Sequence, residues 1–227
     1  MHSKTIKAVV FDFDGTLVQP SLSFKEMNQA AIDAVSGLIP DFPPKQEPAL
    51  EWLQKVHIYA AKLMGDEFAQ EVCRAADLAM AEVEVQAVMR GGLFPEALEV
   101  LEKLNRSGIK TAIITRNCRR AVLAALPDLD RFQTCLLSRD DISKWKPDPA
   151  HLEAALNFMN IPPEEALMVG DDPMDIKVGK SCNTLTAAVL CGHASEDSLL
   201  ACNPDFVAEN CAELLNLLKN KRLINLN

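Results

Sequence analysis

The stretch Val9-Val10-Phe11-Asp12-Phe13-Asp14-Gly15-Thr16-Leu17 constrains the fold more than any other part of this chain. Residues 9–13 read as a fully buried strand, because β-branched and aromatic residues run together without polar alternation. The strand ends in two carboxylates one residue apart. Two acids held close together raise each other's pKa, which is costly, and a cation between them removes the cost. The carboxyl end of a strand is also where open α/β sheets place their ligands.

Side chains alternate along a strand, so Asp12 and Asp14 share a face if the strand continues. Gly15 permits a turn forbidden to other residues, letting the chain leave the sheet directly after Asp14. Carboxylate and carbonyl oxygens together suit a hard ion such as Mg2+. The plainer alternative is a strand-to-turn junction with Asp as turn former.

The remaining pattern places this strand in an α/β architecture. Further strand signals fall at 109–115, 134–138, 166–170 and 184–190, with helical patterns at 95–107, 119–126, 149–160 and 173–181 between most of them. Alternation of short apolar strands with helices means βαβ units and a right-handed, doubly wound, Rossmann-like parallel sheet. Gly108 is placed to stop the first of these helices, and Asp148-Pro149 to open the third. A last helix is expected over 211–222, and a short edge strand over 205–208.

Residues 21–90 break this alternation. Phe24, Met27, Ala31, Ala34 and Leu38 follow helical spacing, as do Trp52, Val56, Tyr59 and Leu63, and then Phe68, Val72, Ala75 and Ala79. Pro40-Asp41-Phe42-Pro43-Pro44 separates the first helix from the second, and Gly65-Asp66 the second from the third. The expected organisation is an α/β core of residues 1–20 and 91–227 with an α-helical insertion over 21–90. Gly91-Gly92 closes the insertion as a hinge or a tight turn. Trp52 and Tyr59 read as core residues. His57, Lys62, Arg74 and Arg90 read by default as exposed charges.

Composition narrows the partners. The net charge of -9 over 227 residues argues against nucleic acid or an anionic membrane face. A phosphorylated ligand must therefore find its positive charge locally. Seven cysteines, an odd number without a Cys-x-x-Cys pair, fit a reduced cytoplasmic protein with structural thiols. His2, His57, His151 and His193 do not stand at zinc-ligand spacing with them. Neither a signal-peptide apolar region nor a membrane span is evident. A monomer or homodimer is expected.

The Asp-x-Asp-Gly-Thr order after an apolar strand resembles the first motif of the haloacid dehalogenase superfamily of phosphohydrolases. Ala112-Ile113-Ile114-Thr115 is similar to its second motif, Lys146-Pro147-Asp148-Pro149 to its third, and Val169-Gly170-Asp171-Asp172-Pro173-Met174-Asp175 to its fourth. The resemblance covers roughly residues 4–210, and the insertion resembles a helical cap of the C1 type. It implies a Mg2+-dependent phosphatase, phosphoglycolate phosphatase-like, acting on a small phosphorylated metabolite.

The residues support that chemistry. A carboxylate such as Asp12 can attack phosphorus and form an aspartyl-phosphate, splitting one displacement into two easier ones. Charge on the transferring group then needs fixed donors. Lys146 is the natural cation, with Lys144 two residues before it as the weaker choice. Thr115 and Asn117 are natural neutral donors, and Arg116 either touches substrate or is a solvated strand-end arginine. The resemblance assigns the same roles to Asp12, Thr115 and Lys146. Asp14 is expected as general acid and base, and its presence favours phosphate esters over carbon–halogen or carbon–phosphorus bonds. Asp12, Asp14 and Asp171 are the expected metal ligands. Asp175 supports them or orients Lys146, and Asp172 either joins that support or caps a helix. His193, in the loop after the fifth strand, carries no assigned role. Two other functions share this sequence pattern: a β-phosphoglucomutase-like phosphomutase, and a catalytically retired binding or regulatory protein on the same fold.

Overall fold

The computed structural model describes residues 5–42 and 48–226. His2, and Pro43 and Pro44 of the expected linker, lie outside the described residues. The chain divides into two compact units, one of residues 1–20 with 91–227 and one of residues 21–90.

The larger unit is built on strands β1 (Ala8–Phe11), β2 (Lys110–Ile114), β3 (Cys135–Leu137), β4 (Ala166–Gly170), β5 (Leu185–Val189) and β6 (Phe206–Ala208). They form one sheet in the order β3-β2-β1-β4-β5-β6, with every neighbouring pair parallel. The order reverses between β1 and β4, the switch point at which such sheets open a ligand crevice. All four residues of β1 and all five of β4 are buried. Successive residues point to opposite faces, so helices must cover both faces, which explains why these strands are apolar throughout.

The helices of this unit are numbered after three helices of the smaller one. They are α4 (Ala97–Arg106), α5 (Arg119–Ala125), α6 (Ala150–Met159), α7 (Pro173–Ser181), α8 (Glu196–Leu200) and α9 (Cys211–Asn220). Leu152, Ala155, Leu156 and Met159 of α6 and Val178 of α7 pack with Ala8, Val10, Ala112, Ile114, Ala166 and Met168 in one core cluster. Helix α4 lies against β2 and α9, and α9 against β5 and β6. Gly108 stops the first helix at φ +70°. The strands are shorter than expected because the chain turns away at their carboxyl ends, although the Asp12 and Thr115 N–H groups still donate to the Val169 and Leu137 carbonyls of the neighbouring strands. Helix α6 begins one residue later than expected, at Ala150, whose N–H is taken by the Asp148 carboxylate at 2.9 Å. The short helix α8 has no periodic signal in the sequence, since its single turn is set by the Ser195 cap.

The smaller unit holds helices α1 (Phe24–Leu38), α2 (Ala49–Met64) and α3 (Asp66–Gly91), and among its described residues there is no strand. Gly65, at φ +91°, separates α2 from α3. The buried stripe of α3 is Ala69, Val72, Ala76 and Met80, not the expected Phe68, Val72, Ala75 and Ala79. Alanines on several faces leave the phase open, and the larger Met80 settles it. Trp52 is buried as expected, but Tyr59 is 39% exposed and Leu63 54% exposed. Both lie outside the stripe of Leu53, Val56 and Ala60, and Tyr59 instead meets Phe42 edge-on at 5.0 Å.

Where the chain leaves and re-enters the larger unit, Val18 bridges Leu93 antiparallel, and the Gln19 N–H donates to the Gly92 carbonyl at 2.9 Å. Among the described residues no helix is long and apolar enough to cross a membrane. Among the described residues no cysteine forms a disulfide.

Candidate active site

Four loops at the carboxyl ends of β1, β2, β3 and β4 carry the acidic and basic residues singled out in the sequence. Phe11 ends β1, and Asp12 follows, its N–H still bonded to the Val169 carbonyl of β4 at 2.8 Å. Gly170 ends β4, and Asp171 follows. The switch point thus sets Asp12 and Asp171 on adjacent strands. Lys146 arrives from the segment before α6 and is 3% exposed. Its ammonium stands 2.5 Å from Asp12 Oδ1 and 2.6 Å from Asp175 Oδ1. Lys144, by contrast, is exposed and pairs with Asp148 at 3.7 Å.

One carboxylate oxygen each of Asp12, Asp171 and Asp175 lies within 4.8 Å of the others. A single ammonium cannot neutralise three carboxylates. Burial alone would lower the Lys146 ammonium, yet the charges of Asp12 and Asp175 hold it above the ordinary lysine range. Burial raises Asp175, and the Lys146 charge pulls it back. The surplus proton affinity is shared: Asp175 still ends raised, and burial and the Asp12 charge push Asp171 up to about 7. A buried cluster of hard oxygens with excess negative charge is the donor set that suits Mg2+. Asp12, Asp171 and Asp175 are the residues whose carboxylate oxygens stand close enough to hold it. Both oxygens of Asp175 are engaged, one by Lys146 and the other by the Asp172 N–H at 3.3 Å.

Glycines make room for this crowding. A Cβ on Gly15 or on Gly192 would collide with the Asp171 carboxylate, and one on Gly170 with that of Asp175. Gly15 also sits at φ +79°, where a side chain is strained. Asp171 is fixed by the Thr16 hydroxyl at 3.1 Å and the His193 N–H at 2.9 Å. Sequence reasoning misses both donors, because a backbone N–H carries no residue signature and Thr16 stands out only as part of a motif.

Asp14 is half-buried, forms a parallel bridge with Val18, and is not one of the three clustered carboxylates. Thr115 is buried at the end of β2, and its hydroxyl accepts the Asn117 N–H at 3.1 Å. The Asn117 side-chain nitrogen is buried and has no hydrogen-bond partner among the described residues. Such a donor normally has one. Arg116 is half-buried, and its carbonyl accepts from the Arg139 guanidinium at 3.1 Å. The Arg139 N–H donates to the Asn117 carbonyl at 3.1 Å, so Arg139 clamps this loop twice. No motif in the sequence marks Arg139 for this role. Asp172 caps α7, its Oδ1 accepting the Met174 N–H at 2.7 Å, with Asp175 completing a capping box.

Comparison with known proteins bears on the family and the fold. The pyrophosphatase PpaX of Bacillus cereus (strain B4264) is 38% identical over 124 residues, 54% of this chain and 57% of that one. The pyrophosphatase PpaX of Anoxybacillus flavithermus is 28% identical over 94% of this chain and 97% of its own. A hydrolase structure from Pseudomonas syringae matches with a TM-score of 0.66 at 23% identity, over 94% and 98% of the two chains. A predicted phosphoglycolate phosphatase from Haemophilus somnus 129pt matches with a TM-score of 0.65 at 21% identity, over 93% and 97%. The family model of the haloacid dehalogenase-like hydrolases matches residues 6–183, and with an Asp-Lys-Asp cluster set at the switch point of a parallel sheet, the chain belongs to that family.

Proposed function

We propose that this hydrolase is a Mg2+-dependent phosphomonoesterase working through an aspartyl-phosphate at Asp12. The observation that carries the reading is the Lys146 ammonium bridging Asp12 and Asp175 with Asp171 alongside. Asp12 engages Lys146 through Oδ1, and its other oxygen is the natural nucleophile. It attacks phosphorus as the ester P–O bond breaks. Asp14 gives its proton to the leaving alkoxide, then takes one from the water that cleaves the acyl-phosphate. Lys146, the Thr115 hydroxyl and the Asn117 amide hold the charge on the transferring oxygens. A bound Mg2+ supplies charge neutralisation between the nucleophile and the phosphoryl oxygens.

The helical unit of residues 21–90 serves, in this reading, as the cap that selects a small phosphorylated metabolite. Its two connections to the larger unit are held by the Val18–Leu93 bridge, and Val18 also bridges Asp14. The name of the PpaX relatives adds inorganic pyrophosphate to the phosphoglycolate-like candidates, since attack on an anhydride needs the same groups. Free thiols and net negative charge support a cytoplasmic setting.

The test is phosphate release from a panel of phosphate esters and pyrophosphate, with Mg2+ and with EDTA. Turnover should disappear in Asp12→Asn and in EDTA. Equal turnover by that variant, or activity indifferent to EDTA, overturns the mechanism. An isomerised sugar phosphate without free phosphate means a mutase instead.

A further inference from the structure

His151, the second residue of α6, is completely buried and is tied directly to the lysine that serves the carboxylate cluster. The Lys146 N–H donates to His151 Nδ1 at 3.2 Å. His151 Nε2 lies 2.9 Å from the Leu137 carbonyl oxygen. An amide N–H can only donate and a carbonyl can only accept, so both bonds form together only when the ring is neutral and carries its proton on Nε2. Burial holds the imidazole well below its usual range, at about 4, which keeps it neutral.

The Leu137 carbonyl has a second donor. The Thr115 N–H reaches it at 3.1 Å. The end of β3 therefore joins the end of β2 directly, and joins the backbone of Lys146 through the imidazole. A continuous chain of hydrogen bonds runs from the Lys146 N–H through His151 and the Leu137 carbonyl to the Thr115 N–H. An apolar residue at 151 would fill the space but leave the Lys146 N–H unpaired, and a buried unpaired donor costs free energy.

We propose that His151 is a positioning residue, fixing Lys146 relative to Thr115 so that ammonium and hydroxyl converge on one phosphoryl group. The assignment rests on the phosphoryl-transfer reading above. Outer partners of this kind typically change affinity or activity 10–100-fold when removed, without touching the ligand.

Two measurements test it. In the wild-type protein at neutral pH, NMR should show His151 protonated on Nε2, with scalar coupling between the Lys146 amide nitrogen and Nδ1 across the hydrogen bond. A ring protonated on Nδ1, or no coupling, overturns the proposal, and this readout needs neither a variant nor a substrate. In His151→Phe, inorganic phosphate binding in the presence of Mg2+ should weaken about 10–100-fold. For an ester that the wild type turns over, kcat/KM should fall by a similar factor. His151→Asn, whose side-chain oxygen can still accept the Lys146 N–H, should recover part of the loss. A folded His151→Phe protein that keeps its phosphate affinity overturns the proposal. Wild-type protein that binds phosphate and shows the coupling, yet hydrolyses no phosphate compound, instead defeats the functional reading and leaves the positioning role standing.

Discussion

Replacing Lys146 by Met keeps most of the side-chain volume and removes one charge from the centre of the site. In the native protein that charge lies 2.5 Å from Asp12 and 2.6 Å from Asp175, with Lys146 3% and Asp175 1% exposed. Breaking a buried ion pair from one side leaves an uncompensated charge and costs about 3–5 kcal/mol. The protein can escape part of this by protonating a carboxylate, so the cost must depend on pH. The sign follows from linkage. Asp175 already sits above an ordinary carboxylate, and loss of the ammonium raises it further. The folded variant then holds a proton that the unfolded chain releases above about pH 4. Its stability falls as pH rises, by up to about 1.4 kcal/mol per pH unit for one extra proton. The wild-type Asp175 carboxyl, at about 8, keeps its proton below that pH as well, so the two proteins diverge above it. Urea unfolding of wild type and Lys146→Met in EDTA, at several pH values from 6 to 10, measures the difference. The destabilisation should be smallest at the acid end and grow above pH 8 by up to about 1.4 kcal/mol per pH unit. A difference that stays flat across this range refutes the assignment of Lys146 as the counter-charge of a buried acidic pair.

Gly192→Ala should be costly although alanine is small: its Cβ collides with the Asp171 carboxylate. Overpacking of this kind costs about 1–3 kcal/mol, and the displaced carboxylate should also weaken Mg2+ binding, readable by calorimetry alongside thermal unfolding. Asp172→Ala removes the cap on the Met174 N–H and should lower stability by about 1 kcal/mol. Denaturant titration of that variant showing no loss would mean that the capping box contributes nothing to α7.

The residues that converge at the switch point were legible because each stands beside a feature with one physical reading. Asp12 and Asp171 end strands too apolar to lie anywhere but inside a sheet, and Lys146 sits in a Lys-Pro-Asp-Pro setting just ahead of a helix. The β-α alternation gave the layered architecture for the same reason. Other parts carried no comparable signal. The phase of α3 was misread because Ala75, Ala76 and Ala79 are equally content inside or outside, and Met80 decided it only through packing. Thr16, Arg139 and the His193 N–H act through backbone groups or short loops brought together from distant parts of the chain. Their roles depend on tertiary distance, which residue type does not encode.

Strand β1 is synthesised first yet occupies the middle of the sheet, with Ala8 paired to Lys110 on one side and to Ala166 on the other. At about 5–20 residues per second, a ribosome takes on the order of ten seconds to supply both neighbours. Both edges of the strand's four apolar residues are unsatisfied until β2 emerges, and one stays so until β4 follows, the state most open to wrongful pairing with another chain. Shielding this strand, by a chaperone or by early collapse onto the helices that emerge next, therefore favours productive synthesis, and Asp12, the proposed nucleophile, lies one residue beyond the segment that needs protecting.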